Sequence, residues 1–183
     1  MSRGGTRALD LAVAVLLLVA PGRPTADVAS GEPTQPLPAG SAFDRMRTLV
    51  GTWRGTDEDG RPVTIEYAVG VRGTTLIETQ DPGTGDEMIS VYSRDGAELV
   101  MTHYCPMGPL GNQPHMVLNR ARSTPGTLVF DFTGGQNLDV GKDAHVHGGR
   151  ITWLDRDRLR REWDVYKGGR PAGTTVLVLS RKR

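Results

Sequence analysis

From Gly51 to Arg181 the apolar residues of this chain recur at every second position, and that period constrains the fold more than any other feature. Val63, Ile65, Tyr67 and Val69 alternate with Thr64, Glu66 and Ala68, which gives an extended segment one apolar and one polar face. Comparable segments follow at 72–80, 88–94, 98–105, 115–122, 127–133, 145–154, 158–167 and 173–181, with a first one at 51–56. Turn signals separate most of them: Asp59-Gly60, Asp81-Pro82-Gly83, Asp95-Gly96, Pro125-Gly126, Asp155 to Asp157, and Gly168-Gly169. Connections this short join antiparallel neighbours. About ten such strands in an open sheet would expose two unpaired edges, and closure removes both. The expected fold is therefore all-β, an up-and-down antiparallel barrel of about ten strands, wide enough for an internal cavity. A short helix is expected in front of it. Phe43, Met46, Leu49 and Val50 share one helical face, and Ser41 is placed to cap the free N–H groups with Asp44 three residues on.

The first 26 residues read as an export signal. Arg3 and Arg7 form a basic start, and Leu11 to Ala20 is an unbroken apolar run, too short to span a bilayer and suited to a signal core. An uncleaved N-terminal anchor is the alternative. Residues 27–40 are rich in Pro, Gly and Ser without apolar period and read as a flexible leader. The barrel domain is expected over 41–183, in the periplasm or outside the cell, with no membrane insertion after cleavage. One cysteine, Cys105, excludes an internal disulfide, so the domain depends on its core. The formal net charge is +1, which gives no polyanion-binding signature. Arg156, Arg158, Arg160 and Arg161 interleave with Asp155, Asp157, Glu162 and Asp164 and read as a solvated strand face rather than a nucleic-acid patch.

Gly51-Thr52-Trp53, where a short helix meets the first strand, resembles the start of calycin barrels: lipocalins, fatty-acid-binding proteins and nitrobindin-like haem proteins. The wider pattern of Leu49 to Trp53, Thr102 to Cys105, Asn112-Gln113-Pro114 and Asp143 to His147 is similar to uncharacterised DUF1579-like bacterial proteins. The resemblance spans most of 43–181. It implies a barrel closed at one end by Trp53, with Arg181 of the last strand crossing the indole, a contact of roughly 0.5–2 kcal/mol. Gly51 would allow the close approach there. Haem carriage in the nitrobindin-like group uses a late histidine, and none follows His147.

Four histidines are present and three sit in tight pairs with a partner. His103 and Cys105 are two apart and share a strand face, as do His145 and His147 if Gly148-Gly149 leaves the local pairing intact. Two such pairs on facing walls would present a His/His/His/Cys set suited to zinc or copper. Each has a plainer reading: an interior histidine satisfied by its neighbours, and a cysteine acting as a small buried apolar residue. Cys105 with His103 as base lacks a third orienting group, so no catalytic set is assigned. The Gly- and Pro-rich stretch 106–114 follows directly, and its Asn112 and Gln113 read as amides orienting a ligand or as a structural loop. The same two readings hold for Gln136, Asn137 and Asp139. Trp153, Trp163, Phe130 and Phe132 read as core or as an apolar cavity wall. Glu78 and Arg161 become interior charges if their faces turn inward. The expected function is binding of a small, partly apolar molecule rather than catalysis. Its expected anchors are His103, Tyr104, Asn112, Gln113, His145, His147 and Trp163. The alternative is a metal-binding protein or enzyme built on the histidine set.

Overall fold

The period of two becomes ten strands in chain order: β1 (Gly51–Thr56), β2 (Pro62–Gly70), β3 (Thr75–Gln80), β4 (Met88–Asp95), β5 (Glu98–Tyr104), β6 (Gln113–Leu118), β7 (Thr127–Gln136), β8 (His145–Trp153), β9 (Arg158–Lys167) and β10 (Arg170–Arg181). Each pairs antiparallel with the next, and β1 also pairs with β10, so the barrel is closed and no strand is left with a whole edge unpaired. The computed structural model describes residues 37–108 and 110–183; the expected signal peptide and most of the leader lie outside the described residues.

Inward positions follow the alternation. Val63, Ile65 and Tyr67 of β2, Leu99 and Met101 of β5, Leu128 and Phe130 of β7, and Leu177 and Leu179 of β10 are buried in one core. Helix α1 (Ala39–Arg47) covers one end, where Ala42, Phe43 and Met46 are buried with Leu49 just beyond it. It begins two residues before the expected start. Its N-cap is Pro38 and no side chain caps it, so Ser41 lies inside the helix and not at its cap. Pro is suited to such a boundary, since it has no N–H to leave unpaired. Val50, expected on the buried face, is exposed, because the chain turns after Arg47 and Gly51 reverses it at φ 121°. That backbone conformation is one that residues with a Cβ rarely adopt.

Trp53 is fully buried at this end. Its indole N–H donates to Leu49 O at 2.7 Å, and the Arg181 guanidinium lies 4.2 Å from the ring centroid. Arg181 also donates to Val50 O at 2.8 Å and Thr48 O at 2.7 Å, tying the last strand to the carbonyls that follow the helix. Gly51, Trp53 and Arg181 thus form a structural clasp at the closed end.

Two details of the strands differ from the sequence pattern. β6 runs over Gln113–Leu118 rather than 115–122, because Asn119 to Ser123 fold into a turn held by Asn119. Arg161 is not on a solvated face: it is fully buried. Leu159, Arg161 and Trp163 alternate inward on β9, while Arg158 is exposed and Arg160 half-buried on the other face. Strand periodicity, not charge, decides the direction. β7 and β8 pair only from Thr127↔Thr152 to Asp131↔Gly148, and β7 then runs on beside β6 alone, leaving a seam in the wall.

Candidate functional site

The register of β2 to β5 lines up four polar residues. Tyr67 opposes Glu78, Glu78 opposes Ser90, and Ser90 opposes His103, so one row of hydrogen-bonding side chains crosses four strands on the inner face. All four are buried. Arg161 reaches this row from β9 on the far wall. Its Nε stands 3.6 Å from Glu78 Oε2, and its Nη2 donates to the Tyr92 hydroxyl at 3.0 Å. Tyr92 in turn donates to Glu78 Oε2 at 2.8 Å. Nη1 donates to the backbone oxygens of Arg150 and Glu162 at 3.2 and 3.3 Å. Burial works against the guanidinium charge, but Tyr92, Glu78 and Tyr67 outweigh it and hold Arg161 above its ordinary pKa. The guanidinium lies 3.3 Å from the Trp163 ring centroid. Gly149 makes room for this stack, since a Cβ there would fall 2.9 Å from Arg161 Nη1 and 3.1 Å from the Trp163 ring.

His103 packs against Trp163 with ring centroids 4.5 Å apart. Burial, and then the nearby Arg161 charge, lower its pKa to about 3, so the imidazole is neutral at neutral pH. Ser90 Oγ lies 3.0 Å from His103 Nδ1 and 3.4 Å from Glu78 Oε1. A carboxylate only accepts, so the single Ser90 proton goes to Glu78 and His103 Nδ1–H donates to Ser90. His103 Nε2 is then a bare acceptor, and it has no protein partner. Gln80 Oε1, the Tyr67 hydroxyl, the Trp163 indole N–H and Arg161 Nε are likewise buried without a hydrogen-bond partner in the protein.

One mouth of the barrel is organised by Asn112. Its backbone bridges Cys105, and its side-chain N–H donates to Ala144 O at 2.8 Å, which ties the segment after β5 to the one before β8. Its Oδ1 is buried and unpartnered. A pocket of about 230 Å³ opens here, lined among others by Ile89, Tyr104, Cys105, Asn112 and Gln113. Tyr104 and Gln113 belong to this rim and not to the interior: Tyr104 is exposed and Gln113 half-buried.

The histidine pairs are not brought together. His103 lies on the inner face. Val146 belongs to the core, and the bulge between Val146 and Gly148 puts His147 on the outer side, where it lines a pocket of about 490 Å³ with Asp131, Arg150, Asp164 and Tyr166. His147 stacks between Phe132 and Tyr166, with centroids 4.4 and 3.8 Å away. His145 is in register with Tyr166, and its Nδ1 donates to Asp143 O at 3.0 Å. Its Nε2 therefore accepts from His147 Nδ1, 2.9 Å away. Burial first, and then His145, lower the His147 pKa. Phe132 of β7 and the two histidines of β8 thus touch across the seam where the strands no longer pair. Cys105 Sγ lies 3.8 Å from Met88 Sδ, and burial raises its thiol pKa, the reverse of what a thiolate ligand or nucleophile needs. Among the described residues no three His, Cys, Asp or Glu side chains come close enough to hold a metal ion, so the expected His103, Cys105, His145 and His147 set is not assembled. Its failure has a simple cause: sharing a strand face two residues apart says nothing about which wall the face belongs to.

The interior band therefore centres on His103 and Trp163, with Tyr67, Gln80, Ser90 and Tyr92 as members that sequence reading did not single out. Their signal was present: each lies at an inward position of a strand whose alternation was read, next to the Glu78 that was noted.

No protein-family model matches the chain, and no curated protein matches it. Among solved structures it is similar to a protein of unknown function of the DUF3598 family from Nostoc punctiforme, with 16% sequence identity and a TM-score of 0.46. That likeness covers 75% of this chain and 49% of the other, so the chain spans about half the length of the structure it matches.

Proposed function

We propose that this chain is an exported, calycin-like binding protein whose barrel interior holds a small, partly apolar molecule. The observation that carries the reading is that buried polar atoms on the inner face lack hydrogen-bond partners, among them Tyr67 OH, Gln80 Oε1, His103 Nε2 and Trp163 Nε1. Leaving one such group unsatisfied costs roughly 1–3 kcal/mol, so four together are a burden that a ligand's own polar atoms would relieve. Around them stand Leu99, Met101, Met116, Leu128 and Phe130, the apolar wall that small-molecule sites combine with a few polar anchors. The mouth near Asn112, Tyr104 and Gln113 is the route of access in this reading, and the closed Trp53 end is structural. The apolar run before residue 26 supports export.

Native mass spectrometry of protein purified from its own host tests this. A co-purifying small molecule is expected on the wild type and at reduced occupancy on His103→Leu. A wild type that carries no adduct, together with a His103→Leu variant that is more stable and shifts nothing else, would show the band to be buried polarity without a ligand role.

A further inference from the structure

We propose, resting on the reading that the interior binds a small molecule, that the ligand is electrically neutral and presents both hydrogen-bond donors and acceptors. Amides, lactams and alcohols belong to this class; carboxylates, phosphates and ammonium compounds do not.

The charges inside the band decide this. Among the described residues Glu78 and Arg161 are the two fully charged side chains that are buried, and they oppose each other at 3.6 Å. Each faces partners within the protein, and the one guanidinium nitrogen without a hydrogen bond, Arg161 Nε, stands 3.6 Å from Glu78 Oε2. Glu78 accepts from Ser90 on one oxygen and from Tyr92 on the other, with Arg161 Nε in ionic contact 3.6 Å from the second. Arg161 directs Nη1 at two backbone carbonyls and Nη2 at Tyr92, while its face lies on Trp163. A ligand carboxylate would need the paired edge of the guanidinium, and that edge is turned to Glu78 Oε2 and the Tyr92 hydroxyl, so a second carboxylate would meet the first. It would also enter a site whose net charge is already zero, and an uncompensated ion in such surroundings is strongly disfavoured. A cationic ligand meets the same obstacle at Glu78.

The free groups point the same way. Trp163 Nε1 is a donor only, Gln80 Oε1 and His103 Nε2 are acceptors, and the Tyr67 hydroxyl is both. Apart from Arg161 Nε, which is turned to Glu78, the free groups carry no charge near neutral pH: burial raises the Tyr67 phenol well above its ordinary pKa, and His103 stays neutral. A mixed set of neutral donors and acceptors matches a group that also offers both, such as a primary amide.

Decanamide, decanoate and decylammonium share a chain and differ in head-group charge, so titration of the purified protein with each isolates the charge preference. Decanamide is expected to bind at least tenfold more tightly than either ion. In Glu78→Gln the guanidinium loses its counter-charge, and the ratio of decanoate to decanamide affinity is expected to rise at least tenfold. Glu78→Gln combined with Arg161→Met restores neutrality and is expected to return the preference to decanamide. Wild-type binding of decanoate or decylammonium as tight as that of decanamide would overturn the inference even if Glu78→Gln does not fold. An unchanged ratio in a folded Glu78→Gln would overturn it too. Binding of none of the three by any variant would instead overturn the ligand-binding reading beneath it.

Discussion

Replacing Arg161 by Met removes the cation that crosses the barrel while nearly keeping its length and apolar stem. In the wild type the guanidinium is fully buried, 3.6 Å from Glu78 Oε2 and 3.3 Å from the Trp163 centroid. Removing one partner of a buried pair strands the other charge, which is destabilising by about 3–5 kcal/mol. The lost stack on Trp163 belongs in the same total, because a desolvated cation–π contact is worth up to about 2 kcal/mol. With a urea slope of about 2 kcal/mol per molar, the unfolding midpoint should fall by roughly 1.5–2.5 M. The second arm is Glu78→Met on the same background. With both charges gone no ion is stranded, and an apolar pair of similar volume is often neutral or better. The double variant should recover at least about 2 kcal/mol relative to Arg161→Met, a coupling that a double-mutant cycle reads directly. Equilibrium urea unfolding followed by tryptophan fluorescence is the assay. A loss below about 1 kcal/mol in Arg161→Met, or strictly additive effects in the double variant, would refute the claim that the two charges hold each other inside the barrel.

Two further outcomes follow from the same contacts. The folded-state pKa of His103 is depressed to about 3, below an unfolded value of 6.5, so between these values the unfolded chain binds more protons. The contribution is fully present above pH 6.5 and is lost as pH falls toward 3; from pH 7 to pH 5 it amounts to roughly 2 kcal/mol. His103→Gln should flatten the stability–pH curve over that interval, and coincident slopes for the two proteins would rule the mechanism out. At the closed end, Arg181→Met loses two hydrogen bonds to backbone oxygens and the stack on Trp53. With Arg181 partly exposed, the expected loss is about 1–3 kcal/mol of thermal stability, with ligand affinity within about twofold of wild type; a large affinity change would move this end into the site.

What the sequence determined by itself is the barrel. Period-two alternation selects a strand and a face locally, and short turns between such strands leave antiparallel neighbours as the only pairing, so ten strands, closure and the short leading helix were all legible. Glu78 and Arg161 were legible as a conditional pair for the same reason. Three things were decided only in three dimensions. The first is which histidines meet: the bulge after Val146 carries His147 to the outside, and although Gly148-Gly149 marks a place where pairing can shift, it does not say to which side the shift turns the ring. The second is the fate of Arg161, whose neighbours in sequence suggest solvent while its partner Glu78 lies more than eighty residues away. The third is the row from Tyr67 to His103, which exists only because register aligns four strands. Alternation is a property of one strand, but a site is a property of several, and the free energy that aligns them comes from the whole closed sheet.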